Sequence, residues 1–211
     1  AEGYTAAKSG FVRVDNELVV PHFAVREGLR RLEAVRKAVG DDFDICIDAH
    51  GVLTTTMAID FCTGAEAFRP MFVEEPTQLE DLGELELLRS KTKVPLATGE
   101  RSFTKYGFSE FCSRHLVNYV QPDVCHAGGI LEMKKIGVIA ETYRIEMAPH
   151  NPQSEVSTLA SLHVDATRLY HSGVQPQPPG LGAGPVFRRR GHRQRRLCRT
   201  ARPRRAWRRP G

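Results

Sequence analysis

Residues 71–100 read MFVEEPTQLEDLGELELLRSKTKVPLATGE. Two short apolar runs, each ending in a carboxylate (Glu74 and Glu100), flank a segment with a helical pattern. Strand, helix, strand is the unit of a parallel sheet with its helices packed outside. Moving outward, the unit recurs. FDICIDAH (43–50) precedes TTTMAIDFCTGAEAF, and VPLATGE (94–100) precedes KYGFSEFCSRH. VNYVQPD (117–123) precedes GGILEMKKIGVIAETY, IEMAPH (145–150) precedes SEVSTLASLHVDA, and YTAAKSG (4–10) precedes AVREGLRRLEAVRKAVG. Six strand–helix units with a period near 25 residues predict part of a (β/α)-barrel rather than an open doubly wound sheet. No G-x-G-x-x-G follows any strand, which argues against dinucleotide binding.

In such barrels the C-terminal ends of the strands converge on one mouth. The residues predicted there are Lys8, Asp48, His50, Glu74, Glu100, Asp123 and His150. Asp48 to Glu74 spans 26 residues, and Glu74 to Glu100 spans 26 again. One such carboxylate alone reads as a salt-bridge partner or helix cap; three at equal spacing read as a site. Unpaired, they would repel and raise one another's pKa, and a hard divalent cation such as Mg²⁺ relieves that. His150 alone would read as a packed histidine, but Asp123 ends the preceding strand at the same depth and could orient its imidazole. Lys8 is expected to be solvated or structural rather than catalytic. Glu75 should face away from Glu74, because adjacent strand residues face opposite sides. His126 with AGGI is read as a turn opening a helix, with Gly128 and Gly129 supplying backbone freedom.

The strings DAH, FVEEP, PLATGE, VQPD, HAGGI and APH, in this order, resemble the enolase superfamily, in particular its mandelate-racemase-like branch and, within that, the D-galactonate dehydratases. The resemblance implies Mg²⁺ ligands at Asp48, Glu74 and Glu100, a His150–Asp123 dyad as general base and His50 as general acid. It implies Mg²⁺-dependent dehydration of a sugar acid, most simply D-galactonate to 2-dehydro-3-deoxy-D-galactonate plus water, by α-proton abstraction and loss of a hydroxyl. The alternatives are dehydration of another aldonate, a racemase of the same branch, or an inactive barrel fragment. The expected partner is the small-molecule sugar acid, and full-length relatives are expected to be homo-oligomers.

Residues 1–165 are expected to form the partial barrel, with the superfamily's N-terminal capping domain and first barrel strand unmatched. This part holds 17 Lys and Arg against 25 Asp and Glu, a net −8. Residues 166–211 hold 13 Arg with no Lys and no acid, a net +13, so the overall +5 sums two unlike segments. The tail is expected to be disordered from about residue 172, and reads either as a basic arm for nucleic acid or, preferably, as an out-of-frame translation. Permitted codons for YHSGVQP, read one nucleotide on, give T-I-Q-E-F-S, which resembles the superfamily's last strand. Nucleic acid is therefore not an expected partner. There is no 18-residue apolar stretch and no signal-peptide pattern, and five cysteines without C-x-x-C spacing fit a reducing compartment. A cytoplasmic location is the expectation.

Overall fold

The computed structural model describes residues 5–12 and 21–167, with Pro21 and His22 described by backbone alone. Six strands, β1 (Ala6–Ser9), β2 (Asp44–Asp48), β3 (Phe72–Glu74), β4 (Leu96–Thr98), β5 (Tyr119–Val120) and β6 (Glu146–Met147), form one sheet in sequential order. Every neighbouring pair is parallel. The helices α1 (Pro21–Val39), α2 (Thr55–Ala65), α3 (Leu82–Lys91), α4 (Thr104–Ser113), α5 (Gly129–Thr142) and α6 (Glu155–Asp165) each follow one strand. This is the sequential parallel order of a (β/α)-barrel wall, as the repeat predicted. The expected disorder of the tail from about residue 172, and its reading as a basic arm or an out-of-frame segment, concern residues outside those described.

Local sequence starts these helices where the repeat needs them. The Thr54 hydroxyl accepts from the Met57 amide at 3.3 Å and the Asp81 carboxylate from the Gly83 amide at 2.7 Å, capping α2 and α3. Ser154 and Ser157 form a reciprocal capping box at α6. Gly128 caps α5 in the left-handed region at φ 111°, and Gly129 follows at φ 82°, matching the predicted turn.

The strands' side chains divide by parity. Ile45, Ile47, Val73, Leu96, Val120 and Met147 belong to one large core with Leu32, Phe61, Phe108, Met133 and Ile136 of the helices. Ala6, Cys46, Phe72, Ala97 and Ala148 form a separate cluster, joined by Tyr119, on the other face. The Phe72 and Tyr119 rings lie 5.1 Å apart there. This second face is the barrel interior, and residues two positions further along the same strands rise from it into the mouth.

Candidate metal centre and acid–base site

Lys8, Asp48 and Glu74 each stand two residues after a member of the interior cluster on the same strand and share its face, and Gln121 and His150, just past β5 and β6, reach the same side through Glu74 and Glu100. The register sets their heights. Asp48 is level with Glu74, whereas Lys8 is level with Cys46, one layer lower. One carboxylate oxygen from each of Asp48, Glu74 and Glu100 lies within 4.8 Å of the others. Glu100 reaches this group just past β4, where Gly99 takes a φ of 135°. A Cβ at Gly99 would stand 2.5 Å from the Phe108 ring and 3.1 Å from the Gln121 amide nitrogen, so only glycine fits.

Lys8 is not solvated. It is 6% exposed, and its ammonium reaches up to Asp48 Oδ2 at 2.9 Å and Glu74 Oε1 at 2.5 Å. Burial alone would lower its pKa, but Glu74 and Asp48 outweigh that and the net shift is upward. Glu74 is fully buried, and that burial pushes its carboxyl upward in spite of Lys8, with Asp48 adding to the rise. Gln121 donates from Nε2 to Glu74 Oε2 at 2.8 Å. The sequence places Lys8 at the mouth as a solvated or structural lysine, and the structural reading holds; it does not single out Gln121. Lys8 had the right position but no visible partner, and Gln121 stood two residues before the more conspicuous Asp123.

His150 and Asp123 are joined, Nδ1 to Oδ2, at 2.8 Å, with Asp123 fully buried, and His150 Nε2 stands 3.2 Å from Glu100 Oε2. Burial disfavours the imidazolium, but Asp123 and then Glu100 more than compensate, so the His150 pKa is raised. Burial likewise acts to raise Asp123, and the hydrogen bonds from His150 and the Cys125 amide bring it below the usual carboxylate value. Asp123 therefore selects the Nδ1–H form and leaves Nε2 directed at the carboxylate cluster.

His50 is held beside the cluster by a turn rather than by a strand. β2 ends at Asp48, and His50 lies in a left-handed turn at φ 51°, so strand parity does not place it. Its amide donates to Asp48 Oδ1 at 3.1 Å, its Nδ1 stands 3.3 Å from the same oxygen, and its side chain is 65% exposed. Glu75 turns away from the cluster, as expected, though it does so in a left-handed turn at φ 45° just past β3 rather than through strand alternation. Its buried carboxylate accepts from the Thr98 hydroxyl, from the Gly99 amide at 3.1 Å and from Arg101 Nε at 2.7 Å. Arg101 also donates to Gln78 Oε1 at 2.7 Å, and Gln78 donates to the Gly51 carbonyl, so one network ties together the loops after β2, β3 and β4.

The donor set is entirely oxygen, two of its three members are buried, and Glu100 touches the imidazole of a histidine–carboxylate pair. That combination fits the oxygen preference of a hard divalent cation. A sequential parallel barrel wall with this mouth defines part of an enolase-like (β/α)-barrel. The chain belongs to the enolase C-terminal domain-like family, whose model matches residues 1–182. Over 158 residues it is 39% identical to a D-galactonate dehydratase of Xanthomonas oryzae pv. oryzae, covering 75% of this chain and 41% of that protein. Among solved structures it resembles a mandelate racemase/muconate lactonizing enzyme-like protein from Rubrobacter xylanophilus at 32% identity and a TM-score of 0.77, covering 88% of this chain and 51% of that one. It also resembles the 3,6-anhydro-D-galactonate cycloisomerase from Zobellia galactanivorans at 30% identity and a TM-score of 0.72, covering 83% and 48%. The chain thus spans about two fifths of the curated relative it matches and about half of the solved ones. Among the described residues no helix is long and apolar enough to cross a membrane.

Proposed function

We propose that this chain carries the metal-binding and proton-transfer part of a Mg²⁺-dependent sugar-acid dehydratase, with D-galactonate as substrate. The observation that supports it most is the clustering of Asp48, Glu74 and Glu100 within 4.8 Å beside the His150–Asp123 pair. When bound, Mg²⁺ would supply positive charge to the substrate carboxylate, making its α-proton acidic enough to remove.

The chain's own residues do the rest. His150 Nε2 accepts the α-proton, and Asp123 at Nδ1 stabilises the imidazolium that results. His50, the exposed imidazole on Asp48, gives a proton to the departing β-hydroxyl so that it leaves as water. The enol that remains becomes the 2-keto product. Lys8 is committed to Asp48 and Glu74. That favours elimination over racemisation, which needs a second base on the opposite side of the substrate.

The experiment is incubation of the protein with Mg²⁺ and D-galactonate in deuterated water, following both α-deuterium uptake and 2-keto product. His150→Asn should remove both signals, while His50→Asn should remove the product and leave the exchange. Exchange that survives in His150→Asn, or is lost equally in both variants, contradicts these roles.

A further inference from the structure

Gln121 is fully buried on the interior face, and its amide is only half used. Nε2 donates to Glu74 Oε2 at 2.8 Å, while Oε1 is buried and has no hydrogen-bond partner among the described residues. The orientation of this amide follows from its neighbour. A carbonyl oxygen turned toward a carboxylate oxygen would repel it, so the NH₂ must face Glu74 and the carbonyl must face elsewhere. Oε1 is fixed by covalent geometry at roughly 2.2 Å from Nε2, which keeps it within roughly 5 Å of Glu74 Oε2. The backbone is anchored as well, since the Gln121 amide donates to the Thr98 carbonyl at 2.8 Å.

Buried amide oxygens almost always have a donor. The neighbouring carboxylates of Asp48, Glu74 and Glu100 can only accept when ionised, and the Lys8 ammonium is engaged by Asp48 and Glu74. A water, free or carried by a bound ion, would supply the missing donor. Mg²⁺ gives up its water reluctantly and keeps several water molecules when bound by few carboxylates.

We propose that Gln121 is a positioning residue of the cation site: its NH₂ fixes the Glu74 carboxylate, and its carbonyl oxygen accepts a hydrogen bond from a water carried by the cation. This rests on the reading of Asp48, Glu74 and Glu100 as cation ligands and assigns Gln121 a role in choosing which cation. Outer-shell partners that hold bound water favour a cation that keeps its water over one, such as Ca²⁺, that takes more protein oxygens directly.

The test is calorimetric titration of the 211-residue chain with Mg²⁺ alone and with Ca²⁺ alone, in wild type and in Gln121→Met, Gln121→Glu and Gln121→Asn. Gln121→Met keeps the bulk but removes donor and acceptor. It should weaken Mg²⁺ by about 10–100-fold and lower the Mg²⁺-to-Ca²⁺ affinity ratio by about 10-fold. Gln121→Glu retains an acceptor oxygen, so the ratio should stay near wild type even as the added charge changes both affinities. Gln121→Asn withdraws the amide by one methylene and should lower the ratio by a smaller factor, which reads the same role if the methionine variant does not fold. Equal weakening of both cations in Gln121→Met and Gln121→Asn, or no weakening at all, overturns the role of Gln121 while leaving the cation site standing. No saturable binding of either cation by the wild type overturns the cation site and this role together.

Discussion

The two faces of the sheet are built from the same six strands and do opposite things. On the helix side, Ile45, Ile47, Val73, Leu96, Val120 and Met147 are apolar and essentially closed off from water. On the barrel side, a small apolar floor of Ala6, Cys46, Phe72, Ala97 and Ala148 gives way within two residues to Lys8, Asp48, Glu74, Gln121 and His150. The helix side contributes apolar burial, which is non-directional and insensitive to charge. The barrel side gathers ionised groups whose burial is unfavourable unless each has a partner. Alternating side-chain direction thus lets one strand stabilise the fold and hold the site without compromise between them.

That contrast can be broken by substitution. Phe108, a fully buried residue of α4 whose ring lies 6.0 Å from that of Phe111, stands for the helix side. Phe108→Ala should cost about 3–5 kcal/mol in chemical denaturation, and Mg²⁺ should recover only what it also adds to the wild type. Lys8→Met stands for the barrel side. Without metal it should cost about 3 kcal/mol, because Asp48 and Glu74 lose their shared cation, and Mg²⁺ should restore much of that loss. A Lys8→Met loss that Mg²⁺ leaves untouched would erase the distinction between the faces. Thr54→Ala, which removes the cap of α2 outside both faces, should cost about 1 kcal/mol irrespective of metal.

The pairing of His150 makes its contribution depend on pH. Its folded pKa lies above the ordinary value, so in the metal-free protein its pairing with Asp123 and Glu100 stabilises fully below about pH 6.5. That contribution is lost as pH rises through the raised folded pKa. Asp123→Asn should move the His150 midpoint downward in an NMR titration of the imidazole. A midpoint that stays in place would show that Asp123 does not hold the imidazolium.

Much of this arrangement is legible in the sequence because it depends on local pattern. The apolar runs and the equal spacing of Asp48, Glu74 and Glu100 follow from a constant repeat, whereas Glu75 and Glu100 take their directions from the turns just past β3 and β4. Lys8 and Gln121 were not legible because their partners depend on register. Lys8 starts one layer below Asp48 and is long enough to reach it, and Gln121 meets Glu74 across 47 residues of sequence. His50 shows the limit of parity itself: the strand stops at Asp48, and a left-handed turn brings the imidazole back to the carboxylate.

The central claim is that Asp48, Glu74 and Glu100 form one binding site for Mg²⁺. Calorimetric titration of the chain with Mg²⁺, above the pH at which His150 titrates, tests it most directly when wild type and Glu100→Gln are compared. The account predicts a single saturable site in the wild type, weakened more than about 10-fold in Glu100→Gln, at least the effect typical of changing a group next to a ligand. Binding of equal strength in the two proteins, or none in the wild type, would contradict it.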